Sequence, residues 1–330
     1  MTERGSESMD TGSHLLFGAT LAGLAALYPP AAQDGALFAA VLTVSLVGSH
    51  APDLDTFARL KGYAAYIRIH RGVSHSLPAL LLWPLLLAVP AAWGFGLWPH
   101  LAFLYGVGLA AVSFHVFLDW MNAYGVQCFR PLCRRWRHLD ALPLFDPFLF
   151  ALHSAGLLFW ILGGSEAARV FAWIYGLTLL YIVGRLLYRR RVVRLVESGL
   201  RLSGTTHVIP GLHPLCWQFV KETEDQFYTG LVRGAKVSVL DVYPKGIGAE
   251  GPVIQATLTT DGVRAFLGFA QRVHVQAAAL GDGYLVQWRD VRFWHNHQLP
   301  FGVDVRLDRD LNVVSQSLGW RKKAWDPPFV

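Results

Sequence analysis

Charge is scarce in this chain. Of its 330 residues only 16% are Asp, Glu, Lys or Arg, against 53% hydrophobic, which excludes an ordinary soluble enzyme of this length. Cysteine is scarcer: Cys128, Cys133 and Cys216 are the three present. With no CxxC pair they exclude a disulfide framework and read as reduced thiols on a cytosolic side. There is no internal repeat, no low-complexity tract, no glycine-rich nucleotide cradle, and no nucleophile elbow around Ser74 or Ser76. Those absences remove solenoids, nucleotide-loop enzymes and serine hydrolases. The net charge of +6 comes from arginines standing beside apolar segments rather than on one patch. Topogenic charge and lipid headgroups explain that pattern, and no nucleic-acid partner is expected.

What is abundant is apolar sequence, in six blocks: Leu15 to Tyr28, Gly35 to Gly48, Leu77 to Trp93, Leu101 to Leu118, Pro147 to Leu162 and Ala167 to Leu187. Each reads as a membrane helix. Several are shorter than the ~20 residues that span ~30 Å of hydrocarbon, so tilt, local thinning or partial insertion is expected. The connections near 29–35, 94–100 and 163–168 carry no Lys or Arg. Those after the second and fourth blocks carry Arg59, Lys61, Arg68 and Arg71, then Arg130, Arg134, Arg135 and Arg137; a further arginine cluster follows the sixth. Every second connection is basic, which predicts six spans with both termini cytoplasmic.

That topology gathers the chemistry. His14 opens the first span, Asp53 and Asp55 follow the second, His70 and His75 precede the third, and His115 and Asp119 close the fourth. All fall on the cytoplasmic side, and ionisable residues at the rim of a membrane bundle mark a functional site by default. His115 and Asp119, at i and i+4, share a helix face, either to hold one metal or to hydrogen-bond inside the bundle. Asp53 and Asp55 repel each other, so a cation or a proton must neutralise them. Arg71 suits bidentate phosphate binding and equally suits a positive-inside charge. His50, His138, His153, Asp140 and Asp146 are secondary candidates, Asp146 first among them.

From about Gly199 the texture changes. Val237–Tyr243, Val253–Thr259, Val273–Ala277, Tyr284–Phe293 and Val303–Leu307 alternate as half-buried strands do, and one helix is expected near Asp261–Gln271. His207, His213, His274, His295 and His297 have no carboxylate neighbours in sequence and read as surface.

His14, Pro52-Asp53-Leu54-Asp55, His70-Arg71-Gly72-Val73-Ser74-His75-Ser76, and His115 with Asp119 before Asn122-Ala123-Tyr124-Gly125 resemble the YdjM-like membrane-bound metal-dependent hydrolases. The resemblance covers roughly residues 10 to 150, and the C-terminal part is similar to the extension of longer bacterial members. That family is distantly similar to zinc-dependent phospholipase C and P1-type nucleases, helical enzymes that hydrolyse phosphate esters at a zinc cluster. Their His-xxx-Asp helix pair is similar to His115 and Asp119; their N-terminal tryptophan ligand has no counterpart here. His50 departs from the family pattern, in which an apolar residue is usual.

The expected architecture is a disordered residue 1–12 segment, an α-helical polytopic membrane domain over 13–190 with its metal site at the cytoplasmic helix ends, and a small, mostly antiparallel cytosolic β domain over 191–330. The resemblance implies a bacterial inner-membrane location and a divalent metal, zinc or alternatively manganese, on His14, Asp53, Asp55, His70, His75, His115 and Asp119. The expected activity is hydrolysis of a phosphoester of a lipid or lipid-linked substrate, with membrane lipids as partners. Asp55 would ligate the metal and take a proton from water, and Arg71 would clamp the phosphate. The rival expectation is a non-enzymatic metal-binding membrane protein that is structural, ion-handling or partner-binding through its β domain.

Overall fold

The computed structural model describes residues 5–163, 167–246 and 251–322. The chain divides into two compact units. The first holds residues up to Asp55 and Arg71–Leu186; the second holds Thr56–His70 and the chain from Leu187 onward.

Every apolar block is helical: α1 (Gly5–Ala25), α3 (Gly35–Gly48), α5 (Leu77–Gly94), α6 (Leu101–Met121) and α7 (Pro147–Ile161) of the first unit and α8 (Ala167–Leu200), which belongs to it up to Leu186, with the short α2 (Pro29–Gln33) between the first two. The boundaries follow local chemistry. Asp34 caps α3, its carboxylate accepting from Ala36 N at 2.8 Å and Leu37 N at 3.2 Å. Asp146 caps α7 through Phe148 N and Leu149 N, with Pro147 at the first helical position where its missing N–H costs nothing. Helix α1 starts at Gly5, inside the segment expected to be disordered. Residues 1–4 lie outside those described.

Helix α3 sits centrally, packing Leu37, Ala40, Val41 and Val44 among Ala22, Ala88, Leu104 and Val107. Gly108 permits close approach there, since a Cβ on it would lie 3.2 Å from Pro84 Cα of α5 and from Val44 of α3. Among the described residues, α5, Trp98–Met121 and Ala168–Leu200 are long and apolar enough to cross a membrane. A fourth span forms if α3 is counted with the 3-10 helix Ala51–Lys61, from which it is bent by 43°. The six blocks are therefore helices, of which three or four are both long and apolar enough to span among the described residues; α7 has 15 residues.

The second unit contains two four-stranded antiparallel meanders. The first is β1 (Thr205–Pro210), β2 (Cys216–Glu222), β3 (Gln226–Arg233) and β4 (Lys236–Pro244). It buries Val208, Trp217, Phe219 and Val232 against Val192 and Val196 of the α8 C-terminal half. The second is β5 (Val273–Leu280), β6 (Gly283–Asp290), β7 (Phe301–Asp308) and β8 (Val313–Trp320), preceded by α9 (Pro252–Thr257) and α10 (Asp261–Phe269). Helix α10 turns Phe266 and Phe269 onto Phe301. Of Val253–Thr259, expected as a strand, the residues up to Thr257 form α9 instead: Pro252 presets the first helical φ, and so short an apolar run carries no decisive period. Helix α4 (Tyr63–Ile69) also belongs to this unit, its Arg68 pairing with Asp261 of α10 at 2.6 Å.

Candidate metal centre

The ends of three elements meet in the first unit. The 3-10 helix after α3 brings Asp53, the 3-10 turn Val73–His75 before α5 brings His75, and the last two turns of α6 bring His115 and Asp119. Backbone hydrogen bonds from Gln127 N to Arg71 O (2.9 Å) and from Leu77 N to Arg130 O (3.3 Å) tie the turn to the loop beyond α6.

His75 Nε2 lies 3.2 Å from Asp119 Oδ2, 3.5 Å from Asp53 Oδ1 and 3.3 Å from His115 Nε2. His115 Nε2 lies 3.5 Å from Asp53 Oδ1 and 3.6 Å from Asp119 Oδ2. Five edges of a four-cornered figure are thus nearly equal. A regular tetrahedron with such edges has its centre about 2.0–2.2 Å from each corner, which matches zinc–imidazole and zinc–carboxylate bonds. His75, His115 and Asp119 are buried and Asp53 is half-buried, and the four form a cluster able to hold a metal ion.

The surroundings set the proton positions. Ser74 donates its hydroxyl proton to Asp55 Oδ2, so His75 Nδ1 donates to Ser74 Oγ at 2.9 Å. His115 Nδ1 donates to the Ser49 carbonyl at 2.8 Å. Each ring then presents the lone pair of Nε2 to the other, an arrangement that calls for a positive charge between them. Burial pulls the His75 imidazole down, but Asp119 and Asp53 outweigh burial and hold it at about 9. A proton on His75 therefore meets that demand when no cation does. Asp119 is buried, with Oδ1 held by Arg71 and Oδ2 turned toward the two imidazoles, as suits a carboxylate shaped to ligate.

Arg71 is buried, with its Nη2 2.8 Å from Asp119 Oδ1 and its Nη1 donating to Asn122 Oδ1 at 2.9 Å. His14 packs its ring on His115 with centroids 4.0 Å apart, and its Nε2 is 3.9 Å from Asp119 Oδ1. Asp55 faces the far side of His75, 3.6 Å from Nδ1, and accepts from Arg71 N at 3.0 Å. Of the seven expected ligands, Asp53, His75, His115 and Asp119 make the cluster of the first unit. His14 and Asp55 flank it, and His70 falls in the second unit, its ring stacked on Tyr66 at 4.6 Å.

Among the secondary candidates, Asp146 is a helix cap that also accepts from Tyr181 Oη, Asp140 pairs with His138 at 2.7 Å, and His153 bonds Thr20 and Thr178 within the bundle. Two histidines taken as surface have carboxylate company after all: His207 lies 3.5 Å from Glu222, and His297 lies 2.8 Å from Asp241. Sequence reasoning gave no role to Ser74, Asn122 or the Ser49 carbonyl. Only Asn122 carried a local signal, an Asx turn accepting from Tyr124 N and Gly125 N.

A family model described as YdjM inner membrane protein matches residues 9–192, and one described as YfhP C-terminal alpha/beta plait domain matches residues 252–325. The chain is 34% identical over 315 residues to an uncharacterized protein of Bacillus subtilis (strain 168), YfhP, covering 94% of this chain and 95% of that one. No solved structure matches the chain.

Proposed function

The chain belongs to the YdjM inner membrane protein family, and from that premise we propose that it is a membrane-bound, metal-dependent phosphoester hydrolase using zinc. The observation carrying this reading is the near-tetrahedral convergence of Asp53, His75, His115 and Asp119. A divalent cation held there supplies Lewis acidity toward a phosphoryl oxygen and a more acidic water. The protein's own groups do the rest. Asp53, His75, His115 and Asp119 would hold the cation, and Asp53, the most solvent-accessible of the four at 11%, would accept the proton of the attacking water. Asp55, through Ser74, fixes the His75 ring, and the Ser49 carbonyl fixes His115. Arg71 balances and orients Asp119. The basic connections Arg59–Arg71 and Arg130–Arg137 support a cytoplasmic site, level with the headgroups.

One observation favours a second reading. Four protein ligands closing a tetrahedron also describe structural zinc, which would stabilise the bundle without turnover. The test is plasma mass spectrometry of metals in the detergent-purified protein beside His115→Ala and Asp53→Ala, followed by phosphoester assays of the loaded protein. The hydrolase reading expects stoichiometric zinc, lost in His115→Ala, and cleavage that fails in Asp53→Ala while metal is retained. Zinc lost together with thermal stability in both variants, and no cleavage by the wild type, would establish the structural reading. A wild type that takes up no metal would overturn both.

A further inference from the structure

The side chain expected to clamp phosphate, Arg71, directs Nη2 to Asp119 Oδ1 and Nη1 to Asn122 Oδ1. The second contact fixes more than the arginine. Asn122 is the residue that closes α6 and is 3% exposed. Its Oδ1 also accepts from Tyr124 N at 3.0 Å and from Gly125 N at 3.3 Å. A guanidinium and two backbone amides only donate, so the atom on which all three converge must be the oxygen. The carboxamide cannot turn over, and its NH2 group is held on the other branch. No acceptor among the described residues meets Nδ2. Asn122 also lines a cavity of about 30 Å³, whose polar wall it shares with Ser13, His14, Asp119 and Asp146. With Oδ1 occupied, the two Nδ2 hydrogens are what it offers there.

We infer that Asn122 is a catalytic residue whose Nδ2–H donates to a phosphoryl oxygen of the substrate; this rests on the hydrolase reading and names the group that holds the phosphate in place of Arg71. The cavity's size fits that ligand: it has room for an oxygen atom, as for a water, and not for a whole phosphate. Asp119 belongs both to its wall and to the metal cluster, so an oxygen seated there stays beside the reacting centre. The carboxylates in the wall are already engaged. Asp119 Oδ1 meets Arg71 and its Oδ2 turns to the cluster, while Asp146 accepts from Phe148 N, Leu149 N and Tyr181 Oη. The donor is also fixed before any substrate arrives. A preorganised N–H aimed at developing negative charge stabilises it without a further cost of ordering.

Asparagine occurs three times in the chain, as Asn122, Asn296 and Asn312. Protein labelled with nitrogen-15 in asparagine alone therefore shows three side-chain amide pairs by NMR, and Asn122→Asp identifies its own by their loss. The full-length protein, zinc-loaded in detergent, is titrated with inorganic phosphate, and binding is measured in parallel by calorimetry. The Asn122 pair is expected to shift and the other two to stay. Asn122→Asp keeps the acceptor that Arg71 and the turn require and removes the donor. Its phosphate affinity should fall about tenfold to a hundredfold with zinc content unchanged, the effect of losing a hydrogen bond to a charged group. If that variant loses its zinc, the wild-type spectra decide. Phosphate that binds while the Asn122 pair stays in place overturns the inference and leaves the hydrolase reading standing, as does wild-type affinity in zinc-replete Asn122→Asp. A zinc-loaded wild type that neither binds phosphate nor cleaves any phosphoester overturns the hydrolase reading and the inference with it.

Discussion

Arg71→Met tests whether this arginine belongs to the metal-binding machinery or to the substrate. Its guanidinium and the Asp119 carboxylate are 4% and 1% exposed, with Nη2 and Oδ1 2.8 Å apart. Removing one partner of so buried a pair leaves an uncompensated charge and costs about 3–5 kcal/mol. That is about two to four decades in an opening equilibrium. Cys128 is a suitable reporter: it is a buried free thiol next to Gln127, whose backbone N–H bonds the Arg71 carbonyl. In a Cys133→Ser, Cys216→Ser background, metal-free Arg71→Met should expose Cys128 to a thiol reagent faster by about two to four decades. Adding Asp119→Asn should recover most of the loss, since replacing both partners removes the stranded charge. Zinc should also recover most of it without the second substitution, because a cation at Oδ2 balances the carboxylate and stabilises only the folded form. A metal-free Arg71→Met protein with wild-type Cys128 reactivity would refute the reasoning and return Arg71 to the phosphate.

Four further outcomes follow from the structure. His75 is held at about 9, so a metal must displace its proton; zinc affinity measured by chelator competition should rise about tenfold per pH unit up to that value, and a flat profile from pH ~6 to ~8 would exclude His75 as a ligand. Without metal the sign reverses: a group raised from 6.5 to about 9 contributes stability that is complete below 6.5 and lost as pH rises through 9. Asp146→Ala should lower the thermal stability of the first unit by about 1 kcal/mol as a lost cap while leaving metal content intact, whereas metal loss would make Asp146 a ligand after all. In the second unit, the His207 hydrogen bond and the nearby Lys245 hold Glu222 down at about 2. Its contribution is present above its ordinary 4.5 and disappears as pH falls toward 2, so Glu222→Gln should flatten acid unfolding followed by fluorescence of the buried Trp217.

How much of this was legible in the sequence depended on how local each signal was. The six apolar blocks and α10 were readable because hydrophobic runs and a capped amphipathic turn are written in consecutive residues. His115 and Asp119 were readable because i and i+4 share a helix face. The choice between Asp53 and Asp55 was not. Two residues apart on a 3-10 helix with three residues per turn, their side chains leave in different directions, so Asp53 faces His75 Nε2 and His115 Nε2 while Asp55 faces His75 Nδ1. Which one faces the two imidazoles depends on where the 3-10 helix lies against α6 and the turn before α5, a tertiary fact. The same limit hid the partners of the β-domain histidines. His207 pairs in register with Val220, leaving Glu222 as its diagonal neighbour on the adjacent strand; His297 reaches Asp241 across 56 residues.

The arginines show the converse error. Arg68 and Arg71 lie in one basic connection and shared a topogenic reading, beside which Arg71 alone also carried a phosphate-binding one, yet they belong to different units. Arg68 pairs at the surface with Asp261, 193 residues away, and exposed pairs contribute about 0–1 kcal/mol. Arg71 sits inside, adopts a positive φ of 58°, and neutralises the carboxylate on which the cluster depends. A positive-inside count weighs the two equally because it reads charge and not burial. For a buried cation the decisive question is which anion it was buried to meet, and for Arg71 that anion is Asp119.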